Sequence, residues 1–352
     1  MKSLTTYLEQ AVQDHASDLF LVAGSPVCEK LDGHLIPLDS QKLLPPDTEQ
    51  LLTDLYALAK RPMEHYRTQN DDDFSFAVSG LARFRVNAYR QRGSLAAVIR
   101  VVSFTIPDWK SFGIPEAVMN LSDVKSGLVL VTGTAGNGKS TTQACIIDRI
   151  NRTRDCHIIT LEDPIEFLHQ DIHSIVSQRE ITVDTSDFLS ALRSCLRQAP
   201  DVILLGEMRD AETIQTAMTA AETGHMIIAT LHTRGGANTV DRIIDTFPSA
   251  QQAQVRVQLS MVLKTVVSQQ LLPDLSGGQV PAFEIMHTNS AIRSLIRDGK
   301  THQLGNVIST SAEAGMISLD QSILALYRAG RITRETALDN AEHPELLLRN
   351  LK

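Results

Sequence analysis

The sequence predicts an α/β protein: a mixed α+β domain over residues 1–104, then a second domain built on a largely parallel sheet, ending in a helical region. Three observations carry this. Short continuous apolar runs at 128–131, 157–161, 202–205 and 226–231 alternate with helical patterns. Such runs mark strands buried on both faces of a sheet whose central members are parallel. A glycine-rich loop follows the first run and leads into a helix. Upstream, strands cluster and apolar residues alternate with polar ones, as in an α+β domain.

Taken in order, Leu4, Tyr7, Leu8, Ala11 and Val12 recur at helical spacing behind Ser3, a candidate N-cap. Residues 18–24 read as a strand closing in a turn, and 30–36 as a hairpin around Asp32 and Gly33. Pro45, Pro46 and Asp47 open a helix through Leu51, Leu52, Leu55 and Leu58. Strands are expected at 74–78, 84–89 and 96–102. Residues 105–115, with Pro107, Gly113 and Pro115, break the pattern and read as a linker. The second domain then takes 116–272, and 273–352 is expected to be helical. There Ser318 and Gln321 frame a capping box ahead of Ile323, Leu324 and Tyr327, with Gly330 as the stop.

Composition excludes several classes. Of the 352 residues 43% are apolar and 21% charged, which is ordinary for a globular chain. A net charge of −8 argues against a broad nucleic-acid surface. No apolar run is long enough to cross a bilayer, and the first residues lack the apolar core of a signal peptide. Cys28, Cys145, Cys156 and Cys195 lie far apart without a C-x-x-C, so they read as reduced core residues rather than a zinc ribbon.

Gly133, Thr134, Ala135, Gly136, Asn137, Gly138, Lys139 and Ser140 fit G-x-x-x-x-G-K-[ST] between an apolar strand and a helix that starts around Thr141. This is the context of a phosphate-binding P-loop, and residues 133–141 are the expected nucleotide-binding segment. The glycines let backbone N–H groups curl around phosphate oxygens, and the helix N-terminus adds positive character there. Lys139 is expected to reach the β- and γ-phosphates, and the Ser140 hydroxyl to ligate Mg²⁺. With the parallel runs, the domain reads as RecA-like.

Two acidic positions follow strand ends, where a parallel sheet opens its ligand crevice. Glu162 closes one run, and Glu207 follows Asp201-Val202-Ile203-Leu204-Leu205-Gly206. Gly206 stands where such a strand usually carries an aspartate on the Mg²⁺ side. Glu162 is therefore expected to polarise the attacking water, and Glu207 to support the metal and its water shell. His225 and His232 bracket the run 226–231 and are candidates for sensing phosphate or relaying to a neighbouring subunit.

In order along the chain, 133–140, Glu162-Asp163-Pro164-Ile165-Glu166, Gly206-Glu207-Met208-Arg209-Asp210 and Gly224-His225 to His232-Thr233 resemble the Walker A, Asp, Walker B and His boxes of the secretion ATPase superfamily. The glycine before the Walker B glutamate is usual there. Ser17-Asp18-Leu19-Phe20, Arg83-Phe84-Arg85-Val86-Asn87 and Ala291-Ile292-Arg293-Ser294-Leu295-Ile296-Arg297-Asp298 are similar to segments of its type IV pilus retraction branch. The chain lacks the tetracysteine insertion and the length of assembly-type relatives. Thr134, Ala135 and Asn137 depart from the family's usual loop residues.

The resemblance implies a PAS-like N-terminal domain and a homohexameric motor that hydrolyses ATP with Mg²⁺ to retract pili. It also implies trans-acting arginines among Arg83, Arg85 and Arg100. The expected site is cytoplasmic, peripheral at the inner face of the membrane, on an inner-membrane platform protein, with a paralogous retraction ATPase as a further partner. Pilus assembly, type II or type IV secretion, an accessory retraction role, a regulatory nucleotide-binding module and a nucleic-acid motor are the alternatives, the last disfavoured by charge.

Overall fold

The computed structural model describes residues 2–31, 33–102 and 105–351. Asp32, the centre of the expected hairpin turn, and residues 103–104, at the expected domain boundary, lie outside the described residues. The chain divides into two compact units: Met1–Thr105 with Glu166–Leu168, and Ile106–Ile165 with His169–Lys352.

The first unit holds a six-stranded sheet. Its strands are β1 (Asp18–Leu21), β2 (Cys28–Leu31), β3 (His34–Pro37), β4 (Asp71–Val78), β5 (Ala82–Gln91) and β6 (Ser94–Val102), in the order β3-β2-β1-β6-β5-β4. Every neighbouring pair is antiparallel. Helix Leu4–Gln13 begins where Ser3 accepts the Thr6 N–H, and helix Pro45–Leu58 carries proline in its first turn. Their apolar stripes (Leu4, Tyr7, Leu8; Leu51, Leu52, Leu55) meet Phe74, Phe76 and Phe84 of the sheet in one core. A short helix, Glu64–Gln69, was not evident from periodicity: six residues give too few repeats to reveal a face.

The second unit holds seven strands: β7 (Gly127–Thr132), β8 (His157–Glu162), β9 (Ile175–Glu180), β10 (Val202–Leu205), β11 (Met226–Leu231), β12 (Leu263–Pro273) and β13 (Gln279–His287). Their order is β13-β12-β7-β11-β10-β8-β9. All neighbours are parallel except β13 against β12. Both faces are covered, which is why β7, β8, β10 and β11 are apolar at nearly every position. Leu128, Leu130, Ile159, Leu161, Ile203, Leu205 and Ile227 enter one core. The alternate residues Val129, Val131, Ile158, Val202, Leu204 and Ile228 enter another.

Two expectations change. The region 273–352 is not wholly helical, because β13 crosses it and pairs along its length with β12. Residues 106–115 are not a free linker within the second unit: Ile114 is buried, and Ile106 and Trp109 pack against the core of Val129 and Val131. Helix Ser290–Arg297 forms as expected, capped by Asn289, with Ile292 and Ile296 buried and Arg293 and Arg297 exposed. All four cysteines are free thiols; Cys145 and Cys195 are buried.

Glu284 on β13 is buried and accepts the Gly236 N–H at 2.6 Å, capping helix Gly236–Asp245 from beneath. Burial, aided by the charges of Glu342 and Asp320, pushes its carboxyl up to about 6. The folded form therefore holds a proton that the unfolded chain releases near 4.5. Stability from this group is gained as pH falls from about 6 towards 4.5, and above pH 6 the ionised form costs on the order of 2 kcal/mol. Glu284→Gln keeps the acceptor for Gly236 and removes the charge. Thermal unfolding should show it more stable than the parent at pH 8, with the gain shrinking towards pH 4.5; a pH-independent difference would contradict this.

Candidate active site

Parallel strands bring chemistry to one edge of the second sheet, at their C-terminal ends. β7 runs into the loop 133–138, β11 into His232, β10 into Gly206 and Glu207, and β8 ends on Glu162. Strand order puts β11 and β10 between β7 and β8. At about 4.8 Å per strand, the loop and Glu162 start roughly 14 Å apart, with His232 and Glu207 between them.

The loop is shaped by glycine and anchored to β12. A Cβ on Gly133 (φ +142°) would sit 2.3 Å from the Gln269 carbonyl oxygen, so no side chain fits there. Gly136 and Gly138 adopt φ of 80° and 75°. The Thr142 hydroxyl donates to Gln269 Oε1 at 2.6 Å. Two of the unusual loop residues bond each other: Asn137 Nδ2 donates to Thr134 Oγ1 at 2.8 Å, while Asn137 Oδ1 accepts the Leu271 N–H at 3.2 Å. These departures therefore brace the loop. Lys139 is buried at 8% exposure, and its ammonium donates to the carbonyls of Gly133 and Thr134 at 2.8 and 2.9 Å. Ser140 and Thr141, in the first turn of helix Lys139–Thr153, are half-buried, and Ala135 and Gly136 form the exposed tip. A cavity of about 460 Å³ adjoins the loop, lined by Phe112, Gly138, Thr141, Gln269, Leu271 and Val280 among others.

Gly206 has a steric explanation. A Cβ there would meet the Leu161 carbonyl oxygen at 3.2 Å and both Glu162 Cα and the Phe188 ring at 3.4 Å. An aspartate there would have to push the β8 backbone back by a few tenths of an ångström, so glycine is the easier fit. Its N–H donates to Leu161 O at 2.7 Å, and its carbonyl accepts the Thr230 hydroxyl. Glu207 follows, its side chain 15% exposed, with Oε1 2.7 Å from Arg209 Nε and Oε2 3.6 Å from His232 Nε2. The structure thus brings together Glu207 and His232. Glu162 Oε1 accepts the Thr160 hydroxyl at 2.6 Å and the Gln178 amide at 3.2 Å.

His225 stands apart from the loop. It precedes β11, and its carbonyl accepts the N–H of Gly127 at the start of β7, so it lies at the opposite end of the sheet from the loop. Its ring bonds the Ala220 carbonyl at 3.0 Å and closes helix Ala211–Glu222. The polarity of one parallel strand separates the two histidines: only His232 reaches the site edge.

Arg83, Arg85 and Arg100 lie on β5 and β6 of the first unit. Arg85 and Arg100 are register partners, and Arg100 Nε is 3.0 Å from Asp18 Oδ1. Both line a polar recess with Asp18, Asp73 and Asn87. Among the described residues, no group of three or more His, Cys, Asp or Glu side chains is placed to hold a metal unaided, and no helix is long and apolar enough to cross a membrane. Sequence reasoning missed Gln269 and Gln178. Both are polar residues within strands, and that interruption of the apolar pattern is the only signal they give.

The family model of the type II/IV secretion system proteins matches residues 1–280. The chain is 43% identical to the type IV pilus retraction ATPase PilT of Pseudomonas aeruginosa over 342 residues, covering 97% of this chain and 99% of that protein. It is 46% identical to a twitching motility protein of Neisseria gonorrhoeae over 281 residues, 80% of this chain and 75% of that protein. A crystal structure of the pilus retraction motor PilT with bound ADP superposes with a TM-score of 0.89 at 43% identity, covering 99% of this chain and all of that one.

Proposed function

The chain belongs to the type II/IV secretion system protein family, and from that premise we propose that it is a motor ATPase whose cycle of ATP hydrolysis drives type IV pilus retraction. The observation that carries this reading is the end-to-end match to a pilus retraction ATPase, joined to a phosphate loop that shares one sheet edge with two glutamates.

The geometry is consistent with a role for each residue. The N–H groups of 133–138 cradle phosphate, and Lys139, already turned over the loop, exchanges its two backbone carbonyls for β- and γ-phosphate oxygens. The cavity beside Thr141, with Phe112, Leu271 and Val280, suits the base and sugar. Glu162 orients the attacking water and takes its proton. His232, beside Glu207, links that acid to the strand end nearest the loop. The donor set of one Ser140 hydroxyl and the Glu207 carboxylate fits a Mg²⁺ that draws its other ligands from phosphate and water, and the ion would neutralise phosphate charge.

The antiparallel sheet of the first unit, with two helices in its core, supports a PAS-like assignment. The motor works as a homohexamer in which an arginine from Arg83, Arg85 or Arg100 acts in trans on a neighbour's phosphates, at the cytoplasmic face of the inner membrane on a platform protein. We place the limit of the first domain near residue 105, with residues 106–115 and 273–352 belonging to the motor domain. Deleting the gene and following labelled pili tests the function. Pili that extend but no longer retract are expected; unchanged retraction, or loss of extension alone, would overturn it.

A further inference from the structure

We propose that Gln178 on β9 is a positioning residue that fixes the Glu162 carboxylate, an inference that rests on Glu162 acting on the attacking water. β8 and β9 are parallel, with Thr160 paired to Gln178 and Glu162 to Glu180. Register partners share a face, so Thr160, Glu162, Gln178 and Glu180 project from one side of the sheet. Gln178 Nε2 donates to Glu162 Oε1 at 3.2 Å, and the Thr160 hydroxyl donates to the same oxygen at 2.6 Å.

The amide cannot turn over. Its own Oε1 accepts the backbone N–H of His169 at 2.8 Å, and a flip would set donor against donor there and oxygen against carboxylate at Glu162. The neighbouring inward residue extends the bracket: Glu180 is buried, and its Oε2 accepts the Ile165 N–H at 3.0 Å, holding the turn that follows Glu162. The Ile181 N–H donates to the Glu162 carbonyl at 2.8 Å, securing the backbone. An edge strand otherwise remote from the loop thus aims the glutamate.

Two donors on one carboxylate oxygen have a chemical consequence. They fix the plane of the group. Removing one should lower turnover without disturbing nucleotide binding.

The test is steady-state ATP hydrolysis by the full chain. Gln178→Met keeps length and bulk but has no donor. It should lower kcat by about tenfold with KM for ATP within about twofold. Thr160→Val removes the other donor and should act in the same sense, while Thr160→Ser should stay near the parent; the result therefore does not hang on one variant folding. If Glu162→Gln is inactive while Gln178→Met and Thr160→Val match the parent in kcat, the positioning role is wrong and the role of Glu162 stands. If Glu162→Gln keeps parental turnover, the reading of Glu162 fails and this inference fails with it.

Discussion

Lys139→Ala should reduce ATP hydrolysis by more than about 10³-fold, because phosphoryl transfer depends on positioning and charge stabilisation rather than on covalent help from the protein. The side chain is the buried cation of the loop, and its ammonium lies against the loop backbone at Gly133 and Thr134. Nothing else in the segment 133–141 carries positive charge. The loop should keep its shape in the variant, since other groups brace it: the Gln269 carbonyl packed over Gly133, the Thr142–Gln269 bond, and Asn137 bridging Thr134 to Leu271. Phosphate release and thermal unfolding should therefore separate, with turnover lost and the unfolding midpoint little changed. Parental turnover would mean that the loop is not the catalytic phosphate site.

Glu162→Gln and Glu207→Gln should fail differently. The first keeps size and much of the hydrogen bonding but loses the basic oxygen; a general base typically contributes 10²–10⁴-fold, and a loss of that order in kcat is expected with nucleotide binding retained. The second removes the charge that holds Arg209 at 2.7 Å and faces His232 at 3.6 Å. Its deficit should show as a raised Mg²⁺ requirement and be partly relieved at high Mg²⁺. Near-parental turnover by Glu162→Gln, with loss confined to Glu207→Gln, would exchange the two roles.

What could be read from the sequence follows from how each element is buried. β7, β8, β10 and β11 are apolar at nearly every position because both faces are covered, and each announces itself as a run. Their C-terminal residues, Glu162, Glu207 and His232, were legible for the same reason: once a strand end is fixed, the next polar residue belongs to the crevice. β9 and β12 were hidden because polar residues interrupt them. Gln178 holds the Glu162 carboxylate, Glu180 holds the turn after β8, Gln269 braces the phosphate loop, and Ser268 accepts the N–H of Gly235. These contacts are made across the sheet, to residues far away in sequence, and no local period encodes them. Residues 106–115 misread as a linker because Pro107, Gly113 and Pro115 break any period, although Ile106, Trp109 and Ile114 still pack against the second unit. Gly206 shows the opposite case: legible as a departure, it acquires its reason only from the approach of Leu161 and Glu162.

The central claim is that ATP hydrolysis on this chain powers pilus retraction. It is tested most directly by replacing the chromosomal copy with Glu162→Gln, verifying equal protein levels, and imaging labelled pili in living cells. Pili are expected to extend and stay extended, with retraction restored when the parental chain is supplied. Retraction at the parental frequency and speed, in cells whose only copy of this chain is shown in vitro not to hydrolyse ATP, would contradict it.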